Sequence, residues 1–101
     1  MASALKSYKL RNVTTKETVF LVPTGTTVTV IGLAVANVSG TDTEVSVLLD
    51  DTYILKNAMV IKGSAVVPVG GEQKIVVNAN SAIKVTATES VDVVCSVLEQ
   101  S

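Results

Sequence analysis

Thr26-Thr27-Val28-Thr29-Val30-Ile31-Gly32-Leu33-Ala34-Val35-Ala36-Asn37-Val38 is the stretch whose phase decides the fold. Val and Thr dominate it, and β-branched side chains fit a pleated strand better than a helix. Val28 and Val30 share one face of an extended chain, whereas Ile31, Leu33 and Val35 take the other. A flat strand cannot change phase against a single core, because side chains alternate strictly. Gly32 lies beside the switch, so the residues predict either a β-bulge at Val30 to Gly32 or a strand that passes between two sheets. Opposite the large residues runs a row of small ones, Gly32, Ala34 and Ala36. That row fits close packing within the domain or close contact with another subunit.

Strand and corner signals continue outward from this run in both directions. Leu5 to Val13 and Thr18 to Val22 precede it, the second closed by Pro23-Thr24-Gly25. After the Ser39-Gly40-Thr41-Asp42 turn, Val45 to Leu49 and Tyr53 to Leu55 flank Asp50-Asp51 as a hairpin. Further runs follow at Asn57 to Ile61, Ala65 to Val69, Lys74 to Val77 and Ile83 to Thr88. The last run, Val91 to Leu98, carries Val91, Val93, Cys95 and Val97 on one face and Val94 and Leu98 on the other, which predicts a central strand or one covered by a partner. Corners every ten residues or so predict an all-β fold, a single antiparallel β-sandwich, Ig-like or jelly-roll-like, of about eight short strands. With 101 residues there is enough chain for one core. The sandwich is expected over residues 8–101, with residues 1–7 as an N-terminal arm, because that segment holds few core side chains.

Composition narrows the chemistry. The chain has no histidine, so the commonest general base, zinc ligand and triad partner are missing together. Ser64 and Ser81 stand near lysines, but nothing singles out a Ser-Lys pair. Asp50-Asp51 offers two adjacent carboxylates where a calcium cage needs about six to eight oxygens, so it reads as turn chemistry. Gly70-Gly71-Glu72-Gln73-Lys74 lacks the ending of a phosphate loop and precedes a strand rather than a helix. Catalytic, metal and cofactor-binding residues are therefore all expected to be none, and the chain is expected not to be an enzyme. A net charge of −1 without basic clusters argues against nucleic acid as a partner. No stretch of 18 apolar residues argues for a membrane span. Cys95, the single cysteine, sits in an apolar run and is expected to be a buried structural thiol.

Surface remains as the carrier of function. Hydrophobic residues make up 48% of the chain, and strands apolar on both faces hold more apolar area than one thin sandwich hides, which points to an interface and to self-association. The candidate interface residues come from three places. Met1, Ala2, Ser3, Ala4 and Leu5 belong to the expected arm; Ala34 and Ala36 to the small row; Val94 and Leu98 to the second face of the last run.

The order Val22-Pro23-Thr24-Gly25-Thr26-Thr27, Gly32-Leu33-Ala34-Val35-Ala36-Asn37, Tyr53-Ile54-Leu55-Lys56-Asn57-Ala58 and Ile83-Lys84-Val85-Thr86-Ala87, closing on Val97-Leu98-Glu99, resembles small structural proteins of tailed-bacteriophage virions. The resemblance spans Tyr8 to Glu99 and is one of strands and corners. It implies a virion component assembled in the bacterial cytoplasm, a capsid cement or decoration protein whose partners are the major capsid protein or other virion proteins, as a homo-oligomer, a trimer at local three-fold positions. The alternative it leaves open is a neck, tail or fibre module that contacts a host surface.

Overall fold

The computed structural model describes residues 3–101 and contains only strands and corners among them. Nine strands follow in order: β1 (Ser3–Val13), β2 (Glu17–Leu21), β3 (Thr27–Asn37), β4 (Thr43–Leu49), β5 (Thr52–Val60), β6 (Ala65–Val69), β7 (Ile75–Val77), β8 (Ala82–Ala87) and β9 (Val91–Gln100). One sheet has the order β1-β9-β3-β6, with the short β7 also paired to β3; the other has the order β2-β8-β4-β5. All pairings are antiparallel.

The pairing is nested. β4 pairs with β5 across the Asp50-Asp51 corner, β3 with β6 and β7 outside it, β2 with β8 outside those, and β1 with β9 at the two ends of the chain. Successive nested pairs fall in alternate sheets. A long hairpin rolled up in this way is a jelly roll, so of the two sandwich types expected from the sequence the connectivity selects this one.

β3 stays within one sheet, and its change of phase is a bulge. Val30 pairs with Val97 and Gly32 with Ser96, leaving Ile31 as the extra residue. Before the bulge Val28 and Val30 are buried, and after it Leu33 and Val35 are buried in the same core. β9 lies between β1 and β3, as a strand apolar on both faces should; its Val91, Val93, Cys95 and Val97 are wholly buried. The core is aliphatic apart from Cys95 and Phe20, and on Phe20 the partly buried Tyr8 stacks with ring centroids 5.1 Å apart.

Two local features differ from the sequence reading. Tyr53 to Leu55 and Asn57 to Ile61 merge into β5, because Asn57 takes a left-handed conformation (φ 49°) and lets the strand continue through a bulge. Ser46 Oγ receives the Asn57 N–H at 2.9 Å and donates to Asn57 Oδ1 at 3.2 Å, which holds that bulge in place. Ser3 to Ser7, expected as an arm, form the first half of β1 and pair with β9 from Gln100 to Ser96. Met1 and Ala2 lie outside the described residues.

Asp50 and Asp51 act as turn residues. Asp50 has φ 55°, and its Oδ1 accepts the Ala82 N–H at 2.9 Å, tying the β4–β5 corner to β8. Cys95 is a buried free thiol, and burial pushes its pKa from the ordinary 9.0 up to about 11. The unfolded chain loses this proton first as pH rises, so the folded state binds more protons in that window and stability falls with pH. Thermal unfolding measured from pH 9 to pH 11 is expected to show a falling midpoint, less steep in Cys95→Ala. Burial, followed by the neighbouring Glu99 carboxylate, also raises Tyr8, which leaves a residual slope in that variant.

Candidate interaction surface

Alternation in the five-strand sheet sends one set of side chains into the core and the other to an outer face. The register sets the outer set out in rows. Leu5, Leu98, Thr29 and Val76 form one row across β1, β9, β3 and β7; Ser7, Ser96 and Gly32 form the next; Lys9, Val94 and Ala34 form a third. Ala36 and Asp92 follow as neighbours across β3 and β9. Of the nine candidates from the sequence, Leu5, Ala34, Ala36, Val94 and Leu98 thus meet on a single face. Ser3 reaches the same face beside Gln100, whereas Ala4 alternates to the other side of β1 beside Glu99. Met1 and Ala2 are among the undescribed residues.

Among the described residues no other element lies over this face at its large side chains. Leu5 is 75% exposed, Val67 62%, Val94 53% and Val76 53%, values that leave most of each side chain in water. At Gly32 a Cβ would find no neighbouring atom within 4 Å, so the small row lies open at this position. Close packing inside the domain is therefore not what keeps Gly32 small. A shallow depression of about 350 Å³, lined by Leu5, Lys6, Ser7, Ile31, Ser96 and Val97, opens beside the bulge.

Charge stays on the rim. Lys9 and the exposed Arg11 belong to the edge strand β1, and Asp92 Oδ1 accepts the Asn12 N–H at 2.9 Å at the far end of β9. On the opposite side of β1, Lys6 Nζ meets Glu99 Oε1 at 3.1 Å, and Tyr8 donates its hydroxyl to Glu99 Oε2 at 3.3 Å. An ion pair this exposed contributes less than about 1 kcal/mol, so it orients the end of β1 more than it stabilises the domain. A smaller apolar group lies at the opposite edge of the sandwich, where Tyr53, Met59 and Ile61 are exposed along and just after β5. Lys56 Nζ sits 5.1 Å from the Tyr53 ring centroid.

Sequence reasoning missed Val67 and Val76. Each sits in a short strand with too few residues to fix its phase, and its place on the outer face emerges only when β6 and β7 pair with β3. Asn37 was also missed as a structural residue. It is 5% exposed, its Nδ2 donates to Thr41 O at 2.8 Å and Val60 O at 2.9 Å, and its Oδ1 accepts Ser39 N–H and Oγ–H at 2.9 and 2.7 Å. Among the described residues every buried side-chain nitrogen or oxygen finds a partner, and no three His, Cys, Asp or Glu side chains gather into a metal cage.

Rolled connectivity and an open apolar face define a jelly-roll sandwich that presents one sheet outward. No family model and no curated protein matches the chain. A chain in the acidic stable capsid structure of Helicobacter pylori bacteriophage KHP30 is similar in fold, with a TM-score of 0.59 over 98% of this chain and 87% of that one, at 15% sequence identity. At that identity the likeness is one of architecture, and architecture alone does not carry function.

Proposed function

We propose that this chain is a structural protein of a tailed-phage virion, a cement or decoration subunit that stabilises the capsid shell through protein–protein contacts and carries no catalytic activity. The observation that supports it most is the end-to-end likeness of fold to a chain of a phage capsid structure. The jelly roll itself recurs in viral capsid domains, and the outer face, apolar in its middle and charged at its rim, offers area for protein contact.

The mechanism is linkage. A subunit that binds only the assembled, expanded shell stabilises that state by RT ln(1 + [L]/Kd), about 2.7 kcal/mol per site at a free concentration of 100 Kd. Repeated over many sites, that resists internal DNA pressure. The resemblance implies a trimer clamping major capsid subunits at local three-fold positions; a solution mass of three times 10.5 kDa would support that count, and one of twice 10.5 kDa the pairing inferred below in its place.

Adding the purified chain to shells assembled without it tests the reading. The chain is expected to sediment with the shells at saturable stoichiometry and to raise the temperature at which they release DNA. Shells that neither bind it nor gain heat resistance would contradict the reading.

A further inference from the structure

We infer that the outer face of the five-strand sheet seats the same face of a second copy of this chain, about a two-fold axis running along the strands between β9 and β3. The inference starts from the arrangement of large and small side chains and does not depend on the virion reading.

On this face β9 is a ridge, with Val94 and Leu98 standing up, while the adjacent β3 is a trough, with Gly32, Ala34 and Ala36. Val94 and Ala34 are register neighbours, as are Ser96 and Gly32. A two-fold axis between the two strands keeps the position along the strand and exchanges the strands. It therefore sets the Val94 of one copy on the Ala34 of the other and Ser96 on Gly32, and does so twice, as an isologous contact requires. The open space above Gly32 is what a partner's side chains would enter. The same operation carries the edge β1 over the far side of the sheet, so Leu5 of one copy meets Val76 of the other. Two exposed apolar side chains then cover each other.

Area and charge favour a second copy over a different occupant. Strands spaced by about 4.8 Å and rising about 3.3 Å per residue give this face a footprint on the order of 700 Å². A stable pair needs about 800 Å² per partner, so the face is close to the size of one interface. Lys9 and Arg11 lie on the edge strand β1, and Asp92 lies at the end of β9 over the partner's Ala36 with its Oδ1 held by the Asn12 N–H, so stacking two such faces sets no unpaired charge at the centre around Val94 and Leu98. Aligned stacking of two sheets about 10 Å apart is the ordinary way such faces pack.

Two measurements test the pairing. Light scattering coupled to size exclusion is expected to give twice 10.5 kDa for the native sequence and a single copy for Val94→Asp, whose circular dichroism stays that of a folded β protein. A mixture of Leu5→Cys and Val76→Cys chains is expected to form a disulfide-linked heterodimer on mild oxidation. Neither variant alone should link to itself. Within one chain these positions are three strand spacings apart, about 14 Å, too far for an internal bridge. The buried native Cys95, with its raised pKa, does not compete. A monomer at the highest soluble concentration, a mass of three copies, or self-linking of Leu5→Cys would overturn the inference. A monomer that loses shell binding on Val94→Asp would assign the face to a shell protein instead: the pairing fails and the virion reading stands.

Discussion

Asp introduced at Val93 is expected to unfold the domain, whereas Asp introduced one residue later, at Val94, is expected to leave it folded. The two positions are neighbours on β9 and differ in the face they take: Val93 is wholly buried and Val94 is 53% exposed. At Val93 the carboxylate would be enclosed by aliphatic side chains, with Leu10 and Val35 as its register neighbours and no cation in the core cluster. An uncompensated buried charge costs several kcal/mol, comparable with the whole stability of about 5 to 15 kcal/mol of a domain this size. At Val94 the carboxylate reaches water, and the expected change is under about 1 kcal/mol. Urea titrations followed by circular dichroism distinguish the two. Equal destabilisation by both variants would mean that β9 is covered on both faces within one chain.

Asn37→Ala is the second large effect, a loss of about 3 kcal/mol, with the unfolding midpoint lowered by roughly 15 °C. The side chain joins the end of β3 to the Thr41 turn and to Val60 at the end of β5. Its removal leaves the Val60 carbonyl without the amide that caps it and the Ser39 backbone N–H without its acceptor, and unsatisfied buried groups cost more than the bonds themselves contribute. Asn37→Asp keeps an acceptor for Ser39 but turns a negative charge toward two carbonyl oxygens, so it should be no milder than Ala. A midpoint shift of only a few degrees in Asn37→Ala would show that water replaces these bonds.

Much of the fold was legible in Thr26 to Val38. Its change of phase beside Gly32 is a local property, and a bulge is the local remedy, so the residues themselves located it. The two apolar faces of Val91 to Leu98 likewise predicted a strand that is central or covered by a partner, and β9 is central in its sheet. The choice between jelly-roll-like and Ig-like connectivity was not legible, because it rests on which strands pair across gaps of up to about ninety residues, as β1 and β9 do. β5 was read as two runs, Tyr53 to Leu55 and Asn57 to Ile61, because the apolar pattern breaks between them; a bulge around a left-handed Asn breaks the pattern in a sequence as a turn does.

The outer face was legible in part for a related reason. Ala34, Ala36, Val94 and Leu98 sit on long strands whose phase is fixed by their buried partners, and the sequence placed them on a second face. Val67 and Val76 sit on strands of five and three residues, whose phase comes from pairing with β3. Leu5 was singled out as part of an arm and belongs to the face because β1 extends to Ser3. Asn37 gave no usable signal, since its partner Val60 lies 23 residues away.

Image reconstruction of virions carrying a tagged copy of this chain tests the central claim most directly. The account predicts tag density repeated over the capsid shell in register with its lattice. Density confined to the neck, tail or fibres, with a bare shell, would contradict it.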